Sequence, residues 1–117
     1  MNTGRIAYKL FLDDVREVPM VYPDLTNKDF IIARTYSEFV EIIKENGLPY
    51  FISFDNDLGE DENGNLLPDG YAAAQWLVYQ SRLDLKKLIF KVHSSNPVAS
   101  VQIKSLLDNY INFINEN

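Results

Sequence analysis

Asp13-Asp14, Asp55-Asn56-Asp57 and His93-Ser94-Ser95-Asn96 carry most of the side chains suited to chemistry, and each cluster stands where an apolar run stops. The runs are Ile6 to Leu12, Tyr50 to Phe54 and Leu88 to Val92. Ligands of open α/β sheets bind outside the carboxyl ends of the strands, so polar clusters at three neighbouring strand ends would converge on one crevice. Four carboxylates, with Arg16 and His93 nearby, suit a metal-assisted phosphate site. Magnesium and manganese favour oxygen ligands, and magnesium normally takes one or two protein carboxylates plus water and phosphate oxygens. Asp14, Asp55 and Asp57 suffice for that, with Asp13 as a further ligand or as support. Asp55 and Asp57 share a face if the extended backbone continues through Asn56. Without a cation, such crowded carboxylates would raise one another's pKa. The plain alternative, that the aspartates only end strands and cap loops, suits one Asp pair better than two clusters on neighbouring strands.

His93 is the only histidine and falls at a strand end rather than on a helix stripe. Facing the crevice, it would serve as a general acid or base near neutral pH. The competing reading is a hydrogen-bonded structural imidazole. Arg16 either clamps a phosphate bidentately or pairs with an aspartate. Ser94 and Ser95 offer hydroxyls to phosphate oxygens beside the free N–H groups of the following helix, for which Asn96 is first of all the cap. The sequence has neither a Gly-x-Ser-x-Gly elbow nor a Gly-rich phosphate loop.

Positioning these groups requires strands, read at residues 5–12, 30–34, 50–55 and 88–93. Their nearly unbroken apolar character favours a parallel sheet covered on both faces. Thr35-Tyr36-Ser37-Glu38 has the form of a capping box, followed by Phe39, Val40 and Ile43 at helical spacing and by Gly47 and Pro49 as stops. A second helix is expected from about Tyr71 to Arg82. The last starts with Asn96 as cap and Pro97 in first position, then buries Ile103, Leu106, Leu107, Tyr110, Ile111 and Ile114. Residues 15–29 are the least regular, because Pro19 and Pro23 oppose a single helix. Residues 59–70 read as a lid or as a solvated connection. Asp61, Asn63 and Asn65 there resemble a calcium loop, but Leu66 occupies the place of the required glycine. Right-handed crossovers then give the strand order 2-1-3-4, with the Asp13 and Asp55 clusters adjacent.

At 117 residues the chain reads as one domain, residues 1–117, and 46% hydrophobic residues mark it as globular. A net charge of −6 and a pI near 4.6 provide no broad basic surface for nucleic acid. The absence of cysteine excludes disulfides, a thiol nucleophile and cysteine-based zinc sites. No apolar run approaches the roughly 18 residues of a membrane span, and no basic segment followed by an apolar stretch opens the chain, so a cytoplasmic protein without membrane contact is expected.

Taken together, Leu10-Phe11-Leu12-Asp13-Asp14-Val15-Arg16, Phe51-Ile52-Ser53-Phe54-Asp55-Asn56-Asp57-Leu58-Gly59, Asp69-Gly70-Tyr71 and His93-Ser94-Ser95-Asn96-Pro97 resemble the cyclic-phosphate processing receiver domain family. The resemblance implies a receiver-like (flavodoxin-like) three-layer α/β sandwich, and a metal-dependent phosphoesterase acting on a cyclic phosphate of a nucleotide or RNA end. It assigns Asp13, Asp14, Asp55 and Asp57 to the metal, magnesium or manganese. His93, Arg16 and Asp57 become the catalytic set, and Arg16, Ser94, Ser95 and Asn96 the substrate contacts. The family commonly has histidine where this chain has Asn56, which bears on catalytic strength. Two other classes compete: a phosphoacceptor signalling receiver, which normally adds a lysine on a fifth strand, and a non-catalytic nucleotide- or protein-binding module.

Overall fold

The computed structural model describes residues 7–116. Four parallel strands, β1 (Lys9–Leu12), β2 (Ile31–Ala33), β3 (Phe51–Phe54) and β4 (Ile89–Val92), form one sheet in the order β2-β1-β3-β4. The expected order and direction are therefore present, and the first two residues of the expected 5–12 strand lie outside the described residues. Three helices accompany the sheet: α1 (Tyr36–Asn46), α2 (Gly70–Tyr79) and α3 (Pro97–Asn115). None among the described residues is long and apolar enough to cross a membrane.

The layering follows from crossover handedness. The chain moves one way from β1 to β2 and the opposite way from β2 to β3 and from β3 to β4, so right-handed crossovers place the first connection on the other face from α1 and α2. Phe39 and Ile43 of α1, Ala73 and Leu77 of α2, and Ile103 and Leu107 of α3 pack with Leu10, Leu12, Ile52 and Phe54 in one core. The opposite face, carrying Phe11 and Phe51, is covered by the irregular segment between β1 and β2 through Val18, Tyr22, Leu25 and Phe30. This segment contains two 3-10 turns, Val18–Met20 and Asn27–Asp29, with Pro19 inside the first. It constitutes the third layer.

Local signals account for the element ends. Thr35 accepts from the Glu38 amide at 3.1 Å, but the Glu38 carboxylate passes the cap and accepts from the Arg34 amide at 2.6 Å. The reciprocal half of the expected capping box is thus displaced by one residue. Asn96 caps α3 through the Ala99 amide at 3.1 Å. The second helix stops at Tyr79 instead of Arg82, because Ser81 donates its hydroxyl to the Leu77 carbonyl at 2.7 Å and Arg82 turns to φ 60°. Residues 60–66 form an exposed turn with a Glu60–Leu66 bridge, its tip organised by the Asp61 carboxylate on the Asn63 and Asn65 amides.

The joint between β3 and α2 is tight. Gly70 donates its amide to the Asn56 carbonyl at 2.8 Å, and the Asn56 side chain accepts from the Tyr71 amide at 3.1 Å. A Cβ on Gly70 would stand 2.0 Å from the Asp55 carbonyl oxygen and 3.0 Å from the Asn56 Cα. Only hydrogen fits there, and the neighbour is backbone, which cannot rotate away. Gly70→Ala is expected to destabilise the protein by roughly 3 kcal/mol or more, the upper end of over-packing costs. Urea unfolding of the two proteins at one pH measures it.

Candidate functional site

Alternation along in-register strands decides which side chains meet. Phe11 pairs with Ser53, and Ser53 with Lys91. Side chains two residues apart share a face, so Asp13, Asp55 and His93 continue that row beyond the strand ends. The ladder does continue: the amides of Asp13, Asp55 and His93 donate to the carbonyls of Ala33, Leu12 and Phe54 at 3.1, 2.8 and 2.8 Å. One ligand atom from each of the three side chains lies within 4.8 Å of the others.

Asp13 is fully buried and saturated. Its Oδ1 accepts the amides of Val15 and Arg16 at 2.9 and 2.8 Å, and its Oδ2 accepts Arg16 Nη1 at 3.1 Å and His93 Nε2 at 2.9 Å. Burial pushes this carboxyl up, but the Arg16 and Val15 amides, His93 and the Arg16 guanidinium outweigh it and hold the group below the usual carboxylate range. Asp55 is the opposite case. Burial, then the neighbouring charge of Asp13 and, more weakly, of Asp14, raise it to about 6, against the Asn56 amide and Arg16. Arg16 Nη1 is 3.6 Å from Asp55 Oδ1 and remains about one-third exposed. No hydrogen bond among the described residues ends on Asp55 Oδ2.

His93 does not face an open crevice. Its side chain is 6% exposed, its ring stacks on Phe11 at 4.8 Å, and both nitrogens are engaged, Nε2 with Asp13 and Nδ1 with Ser53 Oγ at 2.6 Å. Burial lowers its pKa, and the Asp13 hydrogen bond and charge offset that only in part. Of the two readings of this histidine, the geometry is that of the hydrogen-bonded imidazole.

The remaining expected residues divide. Asp14 is half-buried, on the opposite parity from Asp13, with its Oδ2 3.5 Å from where a Cβ would sit on Gly59, whose φ is +91°. Asp57 is exposed and outside the compact group. The backbone bends at Asn56, so the extended conformation that would align Asp57 with Asp55 is lost. Asn56 accepts the Tyr71 amide at the start of α2 through its side-chain oxygen and donates its side-chain nitrogen to Asp57 Oδ1 at 3.3 Å, so it anchors a helix. Ser94 Oγ accepts the Asn96 amide at 3.0 Å, Asn96 caps α3, and Ser95 is exposed.

Three residues escaped the sequence reading. Ser53 and Tyr22 bond each other at 2.7 Å behind His93. Arg34, at the end of β2, bonds the Asp13 and Arg16 carbonyls at 3.2 and 2.6 Å and Glu17 at 2.6 Å. Ser53 carried a signal, as a polar residue inside an apolar run two positions before Asp55. Arg34 carried the strand-end signal used for the aspartates.

The carboxylates offer oxygen donors suited to a hard cation: Asp13, Asp55 and His93 bring their ligand atoms together, and among them Asp55 is the buried carboxylate with an uncommitted oxygen and incompletely compensated charge. The raised Asp55 pKa has a definite sign. The native state holds this proton more tightly than the unfolded state, so the group destabilises the fold progressively as pH rises from about 4 through 6. Asp55→Asn removes the effect, together with the repulsion between Asp55 and Asp13. Without divalent cation, the variant is expected to gain stability relative to wild type between pH 4.5 and 7.5, by on the order of 2 kcal/mol. Denaturant unfolding at both pH values is the measurement, and an equal difference at the two would contradict the assignment.

No curated protein matches the chain. A solved chain described as the yeast Spc42 trimeric coiled-coil, amino acids 181–211, in fusion with another structure, aligns with a TM-score of 0.54 and 21% identity. The alignment covers 89% of the present chain and 65% of that one, and at this identity it speaks for the fold alone. The family described as Cyclic-phosphate processing Receiver domain matches residues 8–109, a stretch that contains every strand and all of the strand-end residues above. The chain belongs to the cyclic-phosphate processing receiver domain family.

Proposed function

We propose that this domain is a magnesium- or manganese-dependent phosphodiesterase that opens a cyclic phosphate of a nucleotide or of an RNA end. The observation that carries this reading is the pairing of a partly exposed guanidinium, Arg16, with a buried carboxylate, Asp55, at the end of β3. Asp55 and Asp14 would hold the cation, with Asp13 in support. The chemistry a bound cation supplies is polarisation of a phosphoryl oxygen and orientation of water.

The chain's own groups do the rest. Arg16 is fixed at its Asp13 side and directs its accessible edge toward phosphate oxygens, where it neutralises charge that develops as water adds to phosphorus. One ester bond of the ring breaks, the leaving oxygen takes a proton, and a phosphomonoester results. His93 acts through Asp13 in this scheme. The exposed Ser95 hydroxyl and the start of α3 line the substrate side, with Ser94 and Asn96 shaping that turn, and Asp57 stands exposed at the rim.

Calorimetry with magnesium is expected to show binding that Asp55→Asn weakens by at least about 10–100-fold. In a metal-supplemented screen of cyclic nucleotides and 2′,3′-cyclic-phosphate RNA ends, Arg16→Ala is expected to lower turnover about 10²–10³-fold without weakening metal binding. A second reading, a phosphoacceptor receiver, is favoured by the position of Asp55 at the end of a central strand beside two aspartates. It predicts a stable acyl phosphate on Asp55 after exposure to a small phosphodonor. Mass spectrometry showing stoichiometric phospho-aspartate, with no cyclic phosphate hydrolysed, would replace the first reading by the second.

A further inference from the structure

Ser53, His93 and Asp13 form a row resembling a serine nucleophile site: Ser53 Oγ is 2.6 Å from His93 Nδ1, and His93 Nε2 is 2.9 Å from Asp13 Oδ2. Ser53 cannot be a nucleophile. It is fully buried in β3, and the Tyr22 hydroxyl closes its other side at 2.7 Å. The row must therefore do something other than attack a substrate.

The direction of the protons identifies what it does. An ionised Asp13 carboxylate is acceptor-only, so His93 Nε2 carries the proton between them. A neutral imidazole then presents Nδ1 as an acceptor, Ser53 donates its hydroxyl to it, and the Ser53 oxygen accepts from the Tyr22 hydroxyl. Every hydrogen bond in the row runs the same way, from the irregular layer into the strand-end cluster. Each member has one arrangement that satisfies all its neighbours, and Phe11 stacking fixes the ring plane. At the far end Asp13 grips Arg16.

We propose that Ser53, seconded by Tyr22, is a positioning residue that locks the His93 ring in place by donating to its Nδ1, so that the Nε2–H required by Asp13 stays on that carboxylate and Asp13 in turn aims Arg16 at the phosphate. The effect on turnover rests on the phosphodiesterase reading; the lock itself does not.

Because the chain has one histidine, its ring nitrogens give one unambiguous pattern in a long-range ¹H–¹⁵N spectrum of the labelled, metal-free full chain. The wild type is expected to show a protonated Nε2 and an unprotonated Nδ1. Ser53→Ala is expected to keep the protonated Nε2, which Asp13 dictates, but to move the Nδ1 resonance to that of a nitrogen accepting no hydrogen bond. Tyr22→Phe, which keeps the aromatic contacts to Phe30 and Phe51, is expected to move it part of the way. In the cyclic-phosphate assay Ser53→Ala is expected to lower kcat about 10-fold or more with magnesium affinity unchanged. A wild type with Nδ1 protonated overturns the proposal, as does a Ser53→Ala protein whose Nδ1 resonance keeps its wild-type position. The expected spectra in a protein that hydrolyses no cyclic phosphate uphold the lock and reject the phosphodiesterase reading instead.

Discussion

The register shared by β1, β3 and β4 is the constraint on which the site depends. Leu10, Leu12, Ile52 and Phe54 must face the helices, which leaves Phe11, Ser53 and Lys91 in one row on the other side. Asp13, Asp55 and His93 each stand two residues beyond a member of that row. A slip of one residue in either pairing would turn apolar side chains out of the core, so the burial that stabilises the sheet also sets which strand-end residues meet. The chemistry at the rim is thus protected by packing that contains no chemical group at all.

Electrostatic stability and site chemistry are divided between two carboxylates a few ångströms apart. Asp13 receives four hydrogen bonds and is stabilised as an anion. Asp55 shares its surroundings with that anion and receives only its own neighbour's amide and a distant edge of Arg16. Crowding like charges in a buried place is unfavourable, and Arg16 relieves it only in part. An interaction with a cation has the largest effect where existing compensation is weakest, and Asp55 is that place.

Much of this was legible in the sequence, for identifiable reasons. Unbroken apolar runs mark strands covered on both faces, and Thr35 and Asn96 mark helix starts because their oxygens must satisfy orphan amides. The strand order followed from crossover handedness. The condition for Asp57 to share a face with Asp55, an extended backbone through Asn56, is not met, because the chain bends there, where Gly70 of α2 bonds the Asn56 carbonyl. Tyr22 was illegible because it comes from a segment without periodicity, and its proximity to Ser53 exists only once that segment has folded over the sheet. Gly70 reads as a turn glycine in sequence, while its reason lies in a carbonyl fifteen residues earlier.

The hydrogen bonds of the strand-end row span long stretches of chain: 31 residues separate Tyr22 from Ser53, 40 separate Ser53 from His93, and 80 separate His93 from Asp13. Closing such loops is entropically unfavourable until the intervening elements have packed. The row therefore completes late, after β1, β3 and β4 have aligned, and interactions made late resist unfolding more than they speed folding. These contacts tie the first strand to the last, so the bonds that hold the site together also resist its unfolding.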